Sequence, residues 1–316
     1  MINLIQNEWM KIFKRPGTYV MIGLLLAVVC IFGAIEIYQT NGPKTSDNRW
    51  EENLKQENEA LKQQTESSNS KVEKDFFKRK IAINEYRIKH KIPPNTSAYH
   101  IWDFVNDASQ LILLTGLFTI IISAGIVASE FNWGTVKLLL IRPISRMKIL
   151  ASKYVTVLLF ALLTLAILFV FSAIVGGILF RFPEQSSSYL SYVAGKVTEQ
   201  NMVVHLLIYY GLNSINMIML ATMAFMISSV FRNSSLAIGL SIFLLFTGAQ
   251  FTQLISLKFS WAKYILFANT DLMQYFEGTP LVEGMTVGFS TTMLLIYFLI
   301  FQFLAFYIFK KRDVAA

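Results

Sequence analysis

Six stretches of the chain run almost without charge for the length of a membrane helix: Thr18 to Ile35, Ala108 to Ser129, Tyr154 to Phe180, Met202 to Phe231, Asn233 to Leu257 and Met285 to Phe309. A helix needs roughly 20 apolar residues to cross a hydrocarbon core about 30 Å thick. Alternating polar and apolar strands are absent, so helices rather than a barrel satisfy the backbone in lipid. The pattern predicts an all-α integral membrane protein with six transmembrane helices and an extracellular helical hairpin inserted after the first.

The segments between the spans differ in character. Residues 1–17 place Ile5, Trp9, Ile12 and Phe13 at helical spacing beside lysines, which predicts an amphipathic interfacial helix ending at Pro16 and Gly17. The first span follows at 18–38. From 39 to 107, twelve basic and eleven acidic residues are mixed, with thin apolar stripes at Trp50, Leu54 and Leu61 and at Val72, Phe76 and Ile83. These predict a two-helix insertion, serving as a cap, a partner-binding module or a spacer. The remaining divisions are a second span at 108–128, a basic segment at 129–153, a third span at 154–180, an outer loop at 181–201, and spans at 202–231 and 233–257. An aromatic-rich stretch at 258–284 predicts short interfacial helices, before a last span at 285–309 and a tail at 310–316.

Composition and charge add orientation. Hydrophobic residues make up 54% of the 316, charged residues 15%, and the mean hydropathy is +0.49. With the N-terminus inside, the inner segments hold twelve Lys or Arg and three acids, a net +9 that leaves the outer segments at −1. The positive-inside rule therefore predicts cytoplasmic termini in a multi-pass plasma membrane protein. Topology and lipid headgroups absorb the net charge of +8, so it makes no argument for nucleic acid. The first apolar run exceeds a signal-peptide core and no small-x-small site follows it, so it reads as an uncleaved anchor.

Catalytic chemistry finds little to stand on. The one Gly-Lys pair, Gly195 and Lys196, lacks the upstream glycine of a Walker A loop and is followed by Val197. His90, His100 and His205 are scattered and Cys30 is the only cysteine, so no metal spacing appears; His100, Asp103 and Asp107 read as polar residues at a helix mouth. No Gly-x-Ser-x-Gly elbow is present. The expectation is a chain that is not an enzyme by itself, with no catalytic residues, no metal and no cofactor of its own. No Asp, Lys or Arg is centred in a span, which weakens an ion-coupled carrier and places the energy source outside the chain.

Two features carry positive information. Thr115, Thr119 and Ser123 share one face of the second span; Asn213 and Asn216 lie in the fourth; Ser241, Gly248 and Thr252 form a small and polar stripe in the fifth. Each is a candidate for a substrate path or, more simply, for helix packing. The segment from Ser129 to Lys153 carries five basic residues against one acid, interleaved with apolar ones, more than a plain connector needs.

That segment has the form Glu130-x-x-x-Gly134-Thr135-x-Lys137-Leu138-Leu139, then Arg142-Pro143-Ile144-Ser145-Arg146 and Lys153. With six spans, a basic amphipathic N-terminus and an interrupted region before the last span, it resembles the permease subunits of type-2 ABC transporters. The resemblance implies a coupling helix between the second and third spans, with Glu130, Gly134, Thr135, Lys137, Arg142, Pro143, Ser145, Arg146 and Lys153 as the ATPase-coupling set. It further implies an ABC ATPase partner in two copies that holds ATP and Mg, a second permease, identical or related, surrounding membrane lipids, and a bacterial setting. The expected function is ATP-driven export of an amphiphile such as a peptide antibiotic, drug or lipid-like molecule. A membrane-anchored sensor or assembly protein using the outer hairpin, and an ion-coupled carrier, are the alternatives.

Overall fold

Ser145, Asn201 and Asn233 each offer a side-chain oxygen to a backbone N–H two or three residues on, and each starts a long helix. The computed structural model describes residues 1–40, 49–68, 71–94, 99–132, 144–180, 182, 188–193, 195–231, 233–276 and 280–311. Its helices are α1 (Ile2–Phe13), α2 (Pro16–Thr40), α3 (Trp50–Ser67), α4 (Lys71–His90), α5 (Ile101–Ala108), α6 (Ile112–Asn132), α7 (Arg146–Leu179), α8 (Met202–Val230), α9 (Ser234–Ser256), α10 (Leu266–Asn269) and α11 (Val287–Lys311). Six helical segments are long and apolar enough to cross a membrane, and α5 and α6 share one of them across a single 3-10 turn.

The second span is the centre of the bundle. Thr115, Thr119, Ile120, Ser123, Ala124 and Ala128 are all fully buried, because α6 packs against α7, α8 and α9 at once. Small residues at that spacing let backbones approach closely, and in lipid such packing replaces the hydrophobic drive of water. The outer spans present Leu, Ile and Phe outward instead, as Phe243, Leu254, Leu299 and Phe303 do.

Helix starts differ from the sequence pattern in two places. The second span begins at Ile101, seven residues early, because the His100 N–H donates to Asp103 Oδ2 at 2.9 Å and caps α5. The third begins at Arg146, so the charged residues up to Lys153 form its first two turns. Ser145 stops the preceding chain and the helix simply continues from polar into apolar residues.

At the end of the bundle away from α1, α3 and α4 pack as a hairpin. Leu54 and Leu61 are buried in it as their spacing predicts, and Asn84 Nδ2 donates to Asn58 Oδ1 at 2.9 Å. Phe76, expected on the inner stripe, is exposed, and the Lys80 ammonium lies over its ring. The segment read as a plain outer loop contains an antiparallel ribbon of β1 (Ser188–Val193) and β2 (Lys196–Asn201). Gly195 turns it at φ +82°, a conformation costly for any residue with a Cβ.

The aromatic stretch folds as expected into short helices, at 260–264, α10 and 273–275. Ser290 Oγ on α11 donates to Asn269 Oδ1 at 2.7 Å, and Asn269 Nδ2 donates to the Lys263 and Ile265 carbonyls. This knot drives the Phe267 ring into α9 at Gly248, where an added Cβ would lie 2.4 Å from the ring. Gly248→Ala is therefore expected to lower stability by about 1–3 kcal/mol. Thermal unfolding in detergent checks it, and Phe267→Leu added to it should restore part of the loss.

Candidate functional site

α1 carries Glu8 on the same face as Ile5 and Ile12, and that face is turned against α7. Ile12 and Glu8 are both buried, and the Phe13 ring meets Phe160 edge-on at 6.5 Å. Thr18 Oγ1 donates to the Ile12 carbonyl at 2.6 Å, which pins the turn between α1 and α2. The amphipathic helix thus packs its apolar side on the third span and brings one acid with it.

Glu8 meets Lys153 from α7 and Glu130 from α6. Lys153 Nζ donates to Glu8 Oε2 at 2.7 Å, to Glu130 Oε1 at 2.6 Å and to the Ile126 carbonyl at 3.3 Å. An ammonium has three donors, and all three are engaged. Lys11 Nζ bonds Glu8 Oε1 at 2.6 Å and Glu130 Oε1 at 3.2 Å from the more open side. Arg15 Nη2 reaches Ser129 Oγ at 3.5 Å. Two carboxylates meet two ammoniums directly, with the Arg15 guanidinium near both acids, so neither buried acid stands unpaired, and an unpaired charge here would be far costlier than a paired one. Burial alone would raise the Glu8 carboxyl; Lys153 and Lys11 outweigh it and hold the pKa below the ordinary value. Burial likewise opposes the charged form of Lys11, but Glu8 and Glu130 raise its pKa.

The cluster joins three elements that are remote in sequence, and it sits where α6 ends and α7 begins. Residues 74–315 match the family described as "Protein of unknown function (DUF2705)". The chain belongs to this family. It is also 53% identical, over the whole of both chains, to "Uncharacterized protein YhcI" of Bacillus subtilis (strain 168). It is 32% identical over 213 residues, 67% of this chain and 82% of the relative, to "Uncharacterized membrane protein YdbK" of the same organism. The spans and this second relative agree that the chain is a multi-pass membrane protein. The DUF2705 match takes in Glu130 and Lys153 and begins after α1, so Glu8 reaches the cluster from outside the matched region.

The predicted coupling residues divide into three groups. Gly134, Thr135, Lys137, Arg142 and Pro143 lie outside the described residues. Ser145 caps α7 and Arg146 opens it, beside the exposed Lys148. Glu130 and Lys153 come together, but Lys153 is fully buried and faces Glu8 and Glu130, not headgroups or a partner surface. Continuing α7 back to Arg146 is what rotates Lys153 into the seam.

Most of the predicted path residues are engaged in helix packing. Thr115 and Thr119 bond back to the Ile112 and Thr115 carbonyls and touch Met217 Sδ, while Ser123 Oγ donates to the Ala221 carbonyl at 2.6 Å. Ser241 and Thr252 bond back to Ala237 and Gly248, and Asn213 Nδ2 to Tyr209. Asn216 alone of this set keeps a buried, unpaired Oδ1. Sequence reasoning missed Glu8, Lys11, Arg15 and Ser129 as parts of one site. The available signal was Glu8 itself, a single acid on the apolar face of a basic helix.

Proposed function

We propose that this protein is the membrane permease subunit of an ATP-driven ABC exporter, moving an amphiphilic molecule while a separate ATPase subunit hydrolyses ATP. The observation that carries the reading is the buried cluster of Glu8, Glu130 and Lys153, which ties both feet of the 133–143 segment to each other and to α1. Two spans clamped to each other move together when either is pushed, whereas unclamped spans absorb the push separately. That is the mechanical property required of a docking element whose energy comes from another chain. In this reading the segment and both termini are cytoplasmic, in a bacterial plasma membrane. Two ATPase copies and a second permease complete the complex. With the hydroxyls of Thr115, Thr119 and Ser123 taken up in helix packing, the unpaired Asn216 oxygen is the point on the predicted path open to a polar group of an amphiphile.

Purification of the tagged chain from its native membrane tests this. An ABC ATPase is expected to travel with it, and Gly134→Val or Arg142→Glu should release that ATPase without changing the amount of folded chain. If no ATPase copurifies, or if transport follows an ion gradient and ignores ATP depletion, the reading is wrong.

A further inference from the structure

The ribbon β1–β2 closes one side of a cleft of about 320 Å³ at the end of the bundle away from α1. Its register pairs Tyr189 with Gln200 and Ser191 with Thr198. Side chains alternate along a strand, so these four share one face of the ribbon, and all four line the cleft. The opposite wall is His205 from the first turn of α8, with Met273 and Phe276 from the turn ahead of the last span. The Tyr189 and His205 rings stack with centroids 3.6 Å apart and planes 10° from parallel. His205 is buried, so this stack is a fixed floor.

Apart from Glu199 and the titratable ring of His205, the described lining is uncharged. Glu199 is the one acid at the rim among the described residues, but it pairs with Leu190 on the other face of the ribbon and accepts a hydrogen bond from Tyr86 of α4 at 3.2 Å. No lysine or arginine lines the cleft among the described residues. What it offers is a carboxamide, two aliphatic hydroxyls and aromatic surface, in a volume at the lower end of the range for small-molecule sites. Directly beside it, Val204, Leu207 and Ile208 of α8 are 46%, 57% and 39% exposed on a membrane-spanning helix. Ile208 belongs both to that apolar strip and to the cleft wall.

We propose that this cleft binds the uncharged, hydroxyl-rich headgroup of a glycolipid, whose apolar tail lies along α8. Amide and hydroxyl groups exchange hydrogen bonds with sugar hydroxyls, and aromatic rings cover the apolar face of a sugar. Among the described residues a phosphate would meet no lysine or arginine there, and an ammonium would meet no carboxylate directed at it. The site is independent of the permease reading, since headgroup binding is measured on the isolated chain.

The test uses the full chain in phosphatidylglycerol nanodiscs doped equally with diglucosyldiacylglycerol and phosphatidylcholine, with retained lipid read by native mass spectrometry. The diglucosyl lipid is expected to be retained in preference. Gln200→Ala and Tyr189→Leu should each reduce that preference about five- to tenfold, the weight of one or two hydrogen bonds. Lys196→Ala, at the far end of the same ribbon, should leave it unchanged. Gln200 is only half-buried, so its variant keeps the test decisive even where Tyr189→Leu unsettles the ribbon. Equal retention of the two lipids, a preference that survives both substitutions, or preferred retention of phosphatidylcholine would each overturn the proposal.

Discussion

Lys153→Met is expected to cost about 3–5 kcal/mol of stability, the range for removing one partner from a buried ion pair. The substitution leaves Glu8 and Glu130 facing each other in a buried seam, with Lys11 as the remaining direct ammonium contact from the open side. Restoring neutrality should recover most of the loss. Adding Glu8→Gln removes one acid and leaves the Lys11 ammonium paired with Glu130, so the direct charges balance again. Lys153→Arg should not rescue, because a planar fork cannot aim three donors at two carboxylates and the Ile126 carbonyl from the same point. Thermal unfolding in detergent measures the stability, and protease access to the N-terminus reports release of α1. The acid limb carries the same signature. Glu8 is depressed below its ordinary 4.5, so its contribution is present above that value and is lost as pH falls through the lower folded pKa. Lys11 is raised, so its share is present below 10.5 and is lost as pH rises through the higher folded value. Wild type should therefore release α1 in acid, and the double variant should lose the part of that dependence that Glu8 supplies. Equal stability of Lys153→Met and wild type would remove the cluster as the clamp of the 133–143 segment.

The six spans were legible because lipid imposes length and apolarity on every spanning helix, whatever the tertiary structure. The hairpin of α3 and α4 was legible through Leu54 and Leu61 for a similar reason, one apolar face at helical spacing. What escaped depends on partners far away in the chain. Glu8 and Lys153 are 145 residues apart, and neither α1 nor α7 alone indicates that its charge turns inward. The stripe of Thr115, Thr119 and Ser123 was visible as a stripe, yet only the opposing Met217 and Ala221 on α8 show it as a packing seam. The ribbon at 188–201 was missed because its signal is short: Gly195 as turn and the alternation of Tyr189 and Ser191 with Leu190 and Tyr192.

That seam between the second and fourth spans is the other place where a single side chain should have a large effect. Ile120, Ala124 and Ala128 on α6 recur every four residues, and with Leu220, Ala224 and Ile227 of α8 they form one buried cluster. Ala124, Ala128 and Ala224 are fully enclosed. Ser228 Oγ meanwhile accepts from the Ala128 N–H at 3.0 Å, a contact that requires the two backbones to be close. Ala224→Leu must push them apart, and overpacking of this kind costs about 1–3 kcal/mol or somewhat more. Here it should reach the top of that range, because separation also breaks the hydrogen bonds that Ser123 Oγ donates to the Ala221 carbonyl and that the Ala128 N–H donates to Ser228 Oγ. Ala224→Ser is the control. A serine adds one oxygen, which can bond back to the carbonyl four residues earlier as Ser229 does to Phe225. Thermal midpoints of the two variants in detergent should differ by several degrees, with serine close to wild type. Similar midpoints for leucine and wild type would mean that α6 and α8 are not held at close approach, and that the rigid pair assumed beneath the 133–143 segment does not exist.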